Sequence, residues 1–178
     1  MNATPIQFLC KDNGVFPNSK LPVLLYKEAM TLPYLFAAAY VKSLFDKNNW
    51  SNSWKSGIFT YHHYHSNTHE VLGVFEGSTR LLLGGDNGHQ LKLEKGDVLI
   101  IPAGVAHRNL GREDQIKCVG AYPNGLKYDM HYGHPEERPL SDKNIASVPL
   151  PVKDPLWGLD DGLPLIWPKI GQASLITL

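Results

Sequence analysis

The sequence predicts an all-β fold, either an antiparallel sandwich or a small barrel. From about Trp54 to Tyr122 the chain is a series of short β-type runs separated by glycine-containing segments. One of these segments, GGDNGH, contains Asn-Gly, which is the strongest short-range signal of a β-hairpin. Strands this short, at such close spacing, are typical of sandwiches and small barrels.

Six runs in this central zone are rich in aliphatic, β-branched or aromatic residues. They are GIFTYHHYH (57–65), EVLGVF (70–75), TRLLLG (79–84), HQLKLE (89–94), DVLIIP (97–102) and IKCVGAY (116–122). In several of them neighbouring residues are both apolar, as in Val71-Leu72 and Val98-Leu99. A strand with one face in water should alternate apolar and polar residues. We therefore expect both faces to be buried, with a helix, a C-terminal arm or a second subunit covering the outer one.

The N-terminal zone, residues 1–50, is predicted to contain one strand and one helix. LPVLLY (21–26) has the pattern of a short strand, and TLPYLFAAAYVKSLFDKNN (31–49) that of a helix. Thr31 is suited to cap this helix, and Pro33 would lie in its first turn, where a missing N–H costs nothing. Four apolar residues share one helical face: Leu32, Leu35, Phe36 and Ala39. The pair Asn48-Asn49 is expected to end the helix.

The C-terminal zone, residues 123–178, has few helix or strand signals. Seven of the thirteen prolines lie in the stretch from Pro135 to Pro168. A disordered tail is one interpretation, but residues such as Trp157 and Trp167 are too apolar for a solvated tail. We favour an ordered, extended, Pro-rich arm packed on the barrel or on a partner subunit. The chain is thus expected to form a single domain, residues 1–178, with its barrel core at 54–122.

Composition excludes several classes of function. Lys+Arg and Asp+Glu both number 17, so no excess of positive charge favours nucleic-acid binding. No apolar run approaches the roughly 20 residues that a membrane span needs, and the N-terminus lacks the pattern of a secretory signal. The two cysteines, Cys10 and Cys118, form no disulfide framework, which favours a cytoplasmic location. Cys118 is expected to be an inert core thiol.

The segment YHHYHSNTHE (61–70) holds four of the eight histidines. In a strand, His63 and His65 would point to the same face and could converge on one metal ion. Glu70 opens the next run and would bring a carboxylate beside the pair. His107, in IPAGVAHRNL, is the best candidate for a fourth ligand.

The spacing of these residues resembles two sequence motifs of the cupin superfamily. The first is Gly57, five residues, His63-x-His65, four residues, Glu70, six residues, Gly77. The second is Gly96, five residues, Pro102-x-Gly104, two residues, His107. The second motif usually ends in Asn four residues after its histidine. Here that position is Gly111, and Asn109 comes two residues early, so the hydrogen bond of that Asn is unassigned.

The whole chain also resembles a group of bacterial single-domain cupins of unassigned activity. The shared segments are SNSW, YPNGLKYDMHYGHPEER and VPLPVKDPLWG. This resemblance implies a double-stranded β-helix, or jelly-roll, barrel of roughly six to eight strands. It also implies one divalent metal ion inside, bound by His63, His65, Glu70 and His107. Cupins commonly pair, so we expect a homodimer.

Other residues near the predicted site remain open to two interpretations. Phe59 and Tyr61 share the inward parity of His63, and either fill the barrel core or line a substrate pocket. Arg80 is either a solvated strand residue or a group that reaches an anionic ligand. His62 and His69 have the opposite parity to their ligand neighbours, which favours outward, surface or interface roles.

Three imidazoles and one carboxylate leave about two positions of an octahedron open for water, substrate oxygens or dioxygen. The ligand types do not decide among Fe, Mn, Ni, Co and Zn. The site indicates a metal-dependent enzyme on a small polar or acidic molecule, of dioxygenase, isomerase or decarboxylase type. The alternative is a non-catalytic cupin that senses or stores a small molecule.

Overall fold

The computed structural model describes residues 4–173 and contains a sheet of eight strands. The strands are β1 (Ile6–Phe8), β2 (Val23–Tyr26), β3 (Trp50–Ser56), β4 (Glu70–Leu83), β5 (His89–Glu94), β6 (Val98–Ile101), β7 (His107–Asn109) and β8 (Ile116–Pro123). The helices are α1 (Ala37–Lys47), α2 (Leu140–Ser147) and α3 (Leu163–Ala173). All the strand pairings are antiparallel, so the all-β prediction is confirmed. No helix in residues 4–173 is long and apolar enough to cross a membrane.

Strand β4, 14 residues long, joins the two walls of the barrel. Its first part, Glu70–Gly73, lies between β6 and β8, and its second part pairs with β5 and β7. The sequence suggested two separate strands here. They are one strand with an irregular register between Val74 and Glu76, followed by Gly77 at φ 75°. This bulge bends the strand so that it can serve both walls.

Three predicted strands and the predicted hairpin turn are confirmed, and one predicted strand is wrong. HQLKLE is β5, DVLIIP contains β6, IKCVGAY lies within β8, and GGDNGH forms the β4–β5 turn. The run 57–65, however, forms no continuous strand, and only His63 and Tyr64 make isolated bridges. The strand in this part of the chain is β3, seven residues earlier, which pairs with β8.

Two apolar clusters lie on opposite faces of the sheet. The inner cluster fills the barrel and includes Leu72, Leu99 and Cys118. Cys118 is fully buried, and burial raises the pKa of its thiol, as expected for an inert core cysteine. The outer cluster includes Val71 and Val98. Neighbouring residues thus belong to different cores, which explains why both parities are apolar.

The outer face of the sheet is covered by helices of the same chain. Val41 and Phe45 of α1 and Leu163 and Trp167 of α3 are all fully buried in the outer cluster. A Cβ on Gly73 of β4 would meet Val41 at 2.6 Å, so this glycine permits the close approach of α1. Burial of the outer face therefore does not require a second subunit.

Helix α1 begins six residues later than its sequence pattern predicted. Phe36 lies at φ 62°, a left-handed conformation that interrupts the predicted helix before Ala37. Thr31 therefore does not cap it, and Leu35 and Phe36 are exposed instead of buried. The C-terminal end was predicted correctly, with Asn48 as the C-cap.

Over residues 123–173 the C-terminal arm is ordered but less extended than predicted, because it contains α2 and α3; residues 174–178 of the predicted arm lie outside the described part of the chain. Asp154 holds the start of α3: its Oδ2 accepts hydrogen bonds from Leu163 N at 3.0 Å and from Tyr26 Oη at 2.7 Å. Pro164 lies in the first turn of α3, where proline is tolerated, and Pro168 lies inside it. The sequence did not reveal this helix because its prolines outweighed its apolar pattern.

We expect Trp167→Ala to lower the free energy of unfolding by about 3–5 kcal/mol, the usual cost of truncating a buried tryptophan. Trp167 is fully buried, and its Nε1 donates to Pro22 O at 3.0 Å, so the change removes both packing and a link to the N-terminal zone. Urea denaturation would measure this loss. Leu165→Ala is the control, because Leu165 on the same helix is 47% exposed. Equal effects of the two changes would contradict the role given to Trp167.

Candidate metal centre

The predicted ligands come from three segments that meet at the inner face of the barrel. His63 and His107 lie opposite each other in an antiparallel bridge, with N–O distances of 3.2 and 3.0 Å in the two directions. Directly opposed residues in such a pair point to the same side. His65 follows two residues after His63, and its carbonyl accepts a hydrogen bond from Gly104 N at 2.8 Å. Glu70 opens β4, opposite Ile101 of β6.

The four predicted ligands are all buried and lie close together. Nε2 of His65 is 3.5 Å from Glu70 Oε2, and Nε2 of His107 is 3.4 Å from the same oxygen. The ring centroids of His63 and His107 are 4.2 Å apart, and those of His63 and His65 are 5.9 Å apart. The structure therefore brings together the set that the sequence singled out.

Backbone carbonyls orient all three imidazoles in the same way. Nδ1 of His63 lies 3.2 Å from Tyr61 O, and Nδ1 of His107 lies 3.1 Å from Val105 O. Nδ1 of His65 lies 2.5 Å from Asp129 O. A carbonyl oxygen can only accept, so each Nδ1 carries the proton, and in the neutral ring Nε2 carries the lone pair. Ligand histidines of metal sites are held by this type of contact.

The Glu70 carboxylate has one satisfied oxygen and one without a partner. Oε1 accepts a hydrogen bond from Tyr122 Oη at 2.9 Å, and Trp54 Nε1 donates to Tyr122 Oη at 2.7 Å. Oε2 is buried and has no hydrogen-bond donor among residues 4–173. Burial alone would raise the pKa of Glu70, but the His65 and His107 imidazoles outweigh it and hold the pKa below its usual value. A buried anionic oxygen that lacks a donor is suited to bind a cation.

The histidines differ in their electrostatic surroundings. Burial and the neighbouring His107 ring lower the pKa of His63 to about 3, so His63 is neutral at physiological pH. Burial also opposes the charged form of His65, but the Glu70 carboxylate outweighs this effect and raises its pKa. A cation bound here would compete with a proton for Nε2 of His65.

The donor set fits a divalent ion, but the side-chain positions do not yet form a closed ligand shell. Within residues 4–173, no group of three or more His, Cys, Asp or Glu side chains has the geometry to hold a metal ion as it stands. Only His65 and His107 are within ion-pair distance of the Glu70 carboxylate. Ligation by all four residues would require the His63 ring to turn towards Glu70. The metal site remains a prediction.

A cavity of about 190 Å³ opens onto the candidate ligands. Its walls combine apolar and aromatic side chains with a few polar groups. The lining residues other than the four candidate ligands are Trp54, Ser56, Gly57, Ile58, Phe59, Leu72, Tyr122, Tyr128 and Met130. Ligand pockets in proteins usually have volumes of about 300–1,000 Å³, so this cavity suits a small ligand.

Comparison with known proteins identifies the family. Residues 54–119 match the model of a family described as Cupin domain. The chain is also 38% identical over 159 residues to the uncharacterized protein YjlB of Bacillus subtilis, which covers 89% of this chain and 93% of that protein. The chain is a cupin.

Solved structures similar to this cupin are distant from it in sequence. Acireductone dioxygenase from Bacillus anthracis, with a cadmium ion in its active centre, is 15% identical at a TM-score of 0.43, over 60% of this chain and 80% of that chain. A DUF861 family protein from Thermotoga maritima is 20% identical at 0.34, over 56% and 96%. The coconut allergen cocosin is 16% identical at 0.38, over 45% and 23%, so the cupin spans about a quarter of its length. The predicted cupin jelly-roll fold is confirmed by the family match and the antiparallel sheet.

Two of the three predicted pocket residues lie outside the cavity of this cupin. Phe59 lines it and contacts the His63 ring at a centroid distance of 5.3 Å. Tyr61 does not line it, but stacks on Phe59 at 4.9 Å and faces a separate surface groove. Arg80 is exposed on β4 opposite Lys92, because the buried parity there belongs to Thr79 and Leu81. The interpretation of Arg80 as a solvated strand residue is the one that agrees with the structure.

The two remaining histidines of the cluster point away from the cavity. His62 donates through Nε2 to Asp86 at 3.0 Å. His69 has the predicted outward parity, but it is not at the surface: it is 3% exposed, and its ring lies 4.8 Å from that of Trp167. The arm covers it. Its Nδ1 accepts a hydrogen bond from Ala103 N at 3.0 Å, and burial lowers its pKa to about 4.

Asn109, which comes two residues before the usual Asn of the second cupin motif, has a buried side-chain amide. Oδ1 of Asn109 accepts hydrogen bonds from Thr79 Oγ1 at 2.5 Å and Gly111 N at 2.8 Å. Its Nδ2 donates to Arg112 O at 3.1 Å. Asn109 thus organises the turn that follows β7.

Sequence reasoning missed the segment 127–131, which we call the strap. Asp129 fastens it to the ligand-bearing segment: its carboxylate accepts from Ser66 N at 2.7 Å, Ser66 Oγ at 2.5 Å and His131 Nε2 at 3.1 Å. Its carbonyl accepts from His65. Tyr128 and Met130, on either side of Asp129, line the cavity. No local pattern indicates this role, because the partners lie about 64 positions apart in sequence.

Replacing His63 or His107 by Ala should reduce the bound divalent metal to a small fraction of the wild-type stoichiometry, because each change removes a nitrogen donor. Elemental analysis of the purified proteins would measure it. His62→Ala is the matched control, since His62 lies next to His63 but contacts Asp86 outside the cavity. Unchanged metal content in both ligand variants, or an equal loss in the control, would reject the assignment.

Asp129→Ala should weaken metal binding roughly 10- to 100-fold, the usual effect of removing a group that orients a ligand. The change removes the carboxylate contacts with Ser66 and so loosens the carbonyl that fixes His65, although the bridge between Tyr64 and His131 still holds the strap. Competition with a chromogenic chelator would measure the affinity. In Lys127→Ala the strap keeps its contacts, because only the Lys127 carbonyl is used, by Asn67 Nδ2 at 3.1 Å. Equal affinities of the two variants would contradict the role of Asp129.

Proposed function

We propose that this cupin is a mononuclear metal-dependent enzyme that carries out an oxygen-dependent, dioxygenase-type reaction on a small molecule. One observation carries the proposal. The buried Glu70 Oε2 has no hydrogen-bond donor and faces Nε2 of His65 and His107 beside a small cavity. Oriented nitrogen donors around an unpaired carboxylate oxygen favour a bound cation over a purely structural network.

A divalent ion (Fe, Mn, Ni, Co or Zn) held by His63, His65, Glu70 and His107 would supply a Lewis acid with about two open positions. The chain itself would contribute the orientation of the donors and a largely apolar enclosure. Tyr122 would keep Glu70 in position through its hydrogen bond to Oε1. The walls formed by Ile58 and Leu72, both buried, would exclude bulk water from the reacting groups.

The cavity lining favours oxygen chemistry over isomerisation. Isomerisation through an enolate needs a group that removes a proton from carbon. Apart from the four candidate ligands, the titratable side chains in the described lining are Tyr122 and Tyr128. The Tyr122 hydroxyl already donates a hydrogen bond to Glu70. Burial together with the Glu70 charge raises the pKa of Tyr122. Isomerase-type and decarboxylase-type reactions would have to rely on Tyr128, water or the substrate for proton transfer.

The alternative is a non-catalytic cupin that senses or stores a small molecule. The same shortage of independent acid and base groups favours it. A polar or acidic ligand would then be held by the ion, because the described lining includes neither Lys nor Arg.

The two functions can be separated with protein purified together with its own metal. Oxygen consumption would be followed while small polar and acidic metabolites are added, with His107→Ala as the inactive control. We expect metal-dependent oxygen uptake with one group of compounds and none in the variant. Saturable binding without oxygen uptake or product would support the sensor, and protein without any bound metal would contradict both functions.

The homodimer and the cytoplasmic location remain predictions. Helices α1 and α3 cover the outer sheet face, so burial of that face is no longer an argument for a homodimer. Sedimentation velocity would determine the oligomeric state.

A further inference from the structure

The cavity beside the candidate metal centre contains no positive side chain in its described lining. The one carboxylate in that lining is Glu70. A divalent ion and the Glu70 carboxylate together leave one net positive charge when the imidazoles are neutral. Lys127 lines a separate surface groove with Asn124 and does not line the cavity.

This charge limits what the cavity can hold. One negative charge on a ligand would be neutralised, but a second would be buried without a partner, which is strongly unfavourable in an apolar enclosure. Phosphorylated or doubly acidic compounds are therefore poor ligands for this site.

The walls of the cavity indicate the shape of the ligand. Phe59 is 41% exposed and lies beside the His63 ring, while Tyr128 is 37% exposed and lies beside the His65 ring at 4.9 Å. Both line the same cavity, each next to a different candidate ligand. Partly exposed aromatic rings at a cavity wall offer flat surfaces on which a planar apolar group can pack.

We propose that the site takes a small molecule with at most one negative charge, two adjacent oxygen donors for the ion, and a flat apolar body that packs against Phe59 and Tyr128. This inference rests on the proposed metal-dependent function and narrows its substrate class. The volume of about 190 Å³ limits the ligand to about one ring with short substituents.

The apolar body can be tested with two chelators that bind metals through the same group. Acetohydroxamate and benzohydroxamate differ in a methyl group against a phenyl ring, so their affinity ratio reports packing of the ring. In protein loaded with Co²⁺, whose visible absorption responds to its ligands, benzohydroxamate should bind at least tenfold more tightly. Phe59→Ala should reduce this preference to less than about threefold. Tyr132→Ala is the control, because Tyr132 is similarly exposed (44%) but does not line the cavity.

The charge limit can be tested with oxalate, a dianion that also chelates through two adjacent oxygens. Met130→Lys places a positive charge in the lining and should raise the affinity for oxalate, relative to acetohydroxamate, by about tenfold. Leu126→Lys is the control, since Leu126 is 42% exposed and lies outside the cavity lining.

The inference is overturned if Co²⁺ binds but the phenyl ring gives no preference, or if Met130→Lys leaves the oxalate ratio unchanged. In either case the proposed metal-dependent function would stand. Failure of Co²⁺ to bind would reject that function and this inference together. Preferences that change only in Phe59→Ala and Met130→Lys, and not in their controls, would support the inference.

Discussion

The buried carboxylate of Glu70 is the constraint on which the rest of the site depends. An ionised carboxylate removed from water is costly unless hydrogen bonds or opposite charges compensate it. Here Tyr122 satisfies one oxygen, and two imidazoles face the other. These partners come from β8, from the segment before β4 and from β7, so the carboxylate can be accommodated only when three parts of the chain are assembled around it.

The barrel places these groups through a small number of backbone contacts. The bridge between His63 and His107 brings two imidazoles side by side, although the segment that carries His63 forms no regular strand. Fixed backbone positions alone would leave the rings free to rotate. The contacts of the three Nδ1 atoms with carbonyl oxygens restrict this rotation, and Nε2 of His65 and of His107 faces Glu70.

Much of this arrangement could be predicted from the sequence, because the spacing of the histidines and the pattern of apolar residues indicate which side chains share a face. The parity argument correctly separated His63 and His65 from His62, and neighbouring apolar residues in β4 and β6 correctly indicated two buried faces. The predictions that failed concern features that depend on contacts between distant segments or on local backbone conformation. The left-handed Phe36 delays α1, the arm buries His69, and Asp129 reaches His65 across about 64 positions. Parity also failed for Tyr61, because a strand was assumed where the chain is irregular.

Successive side chains of the strap alternate between lining the cavity and holding the segment in place, and this alternation affects how the binding space of this cupin can change. Tyr128 and Met130 face the cavity, while the intervening Asp129 holds the segment to Ser66 and His65. Side-chain exchanges at the two flanking positions can reshape the binding space while the backbone stays where it is. An insertion or deletion in the same segment would shift the register and disturb His65 at once. New ligand preferences in relatives should therefore arise at this segment by point substitution at constant length.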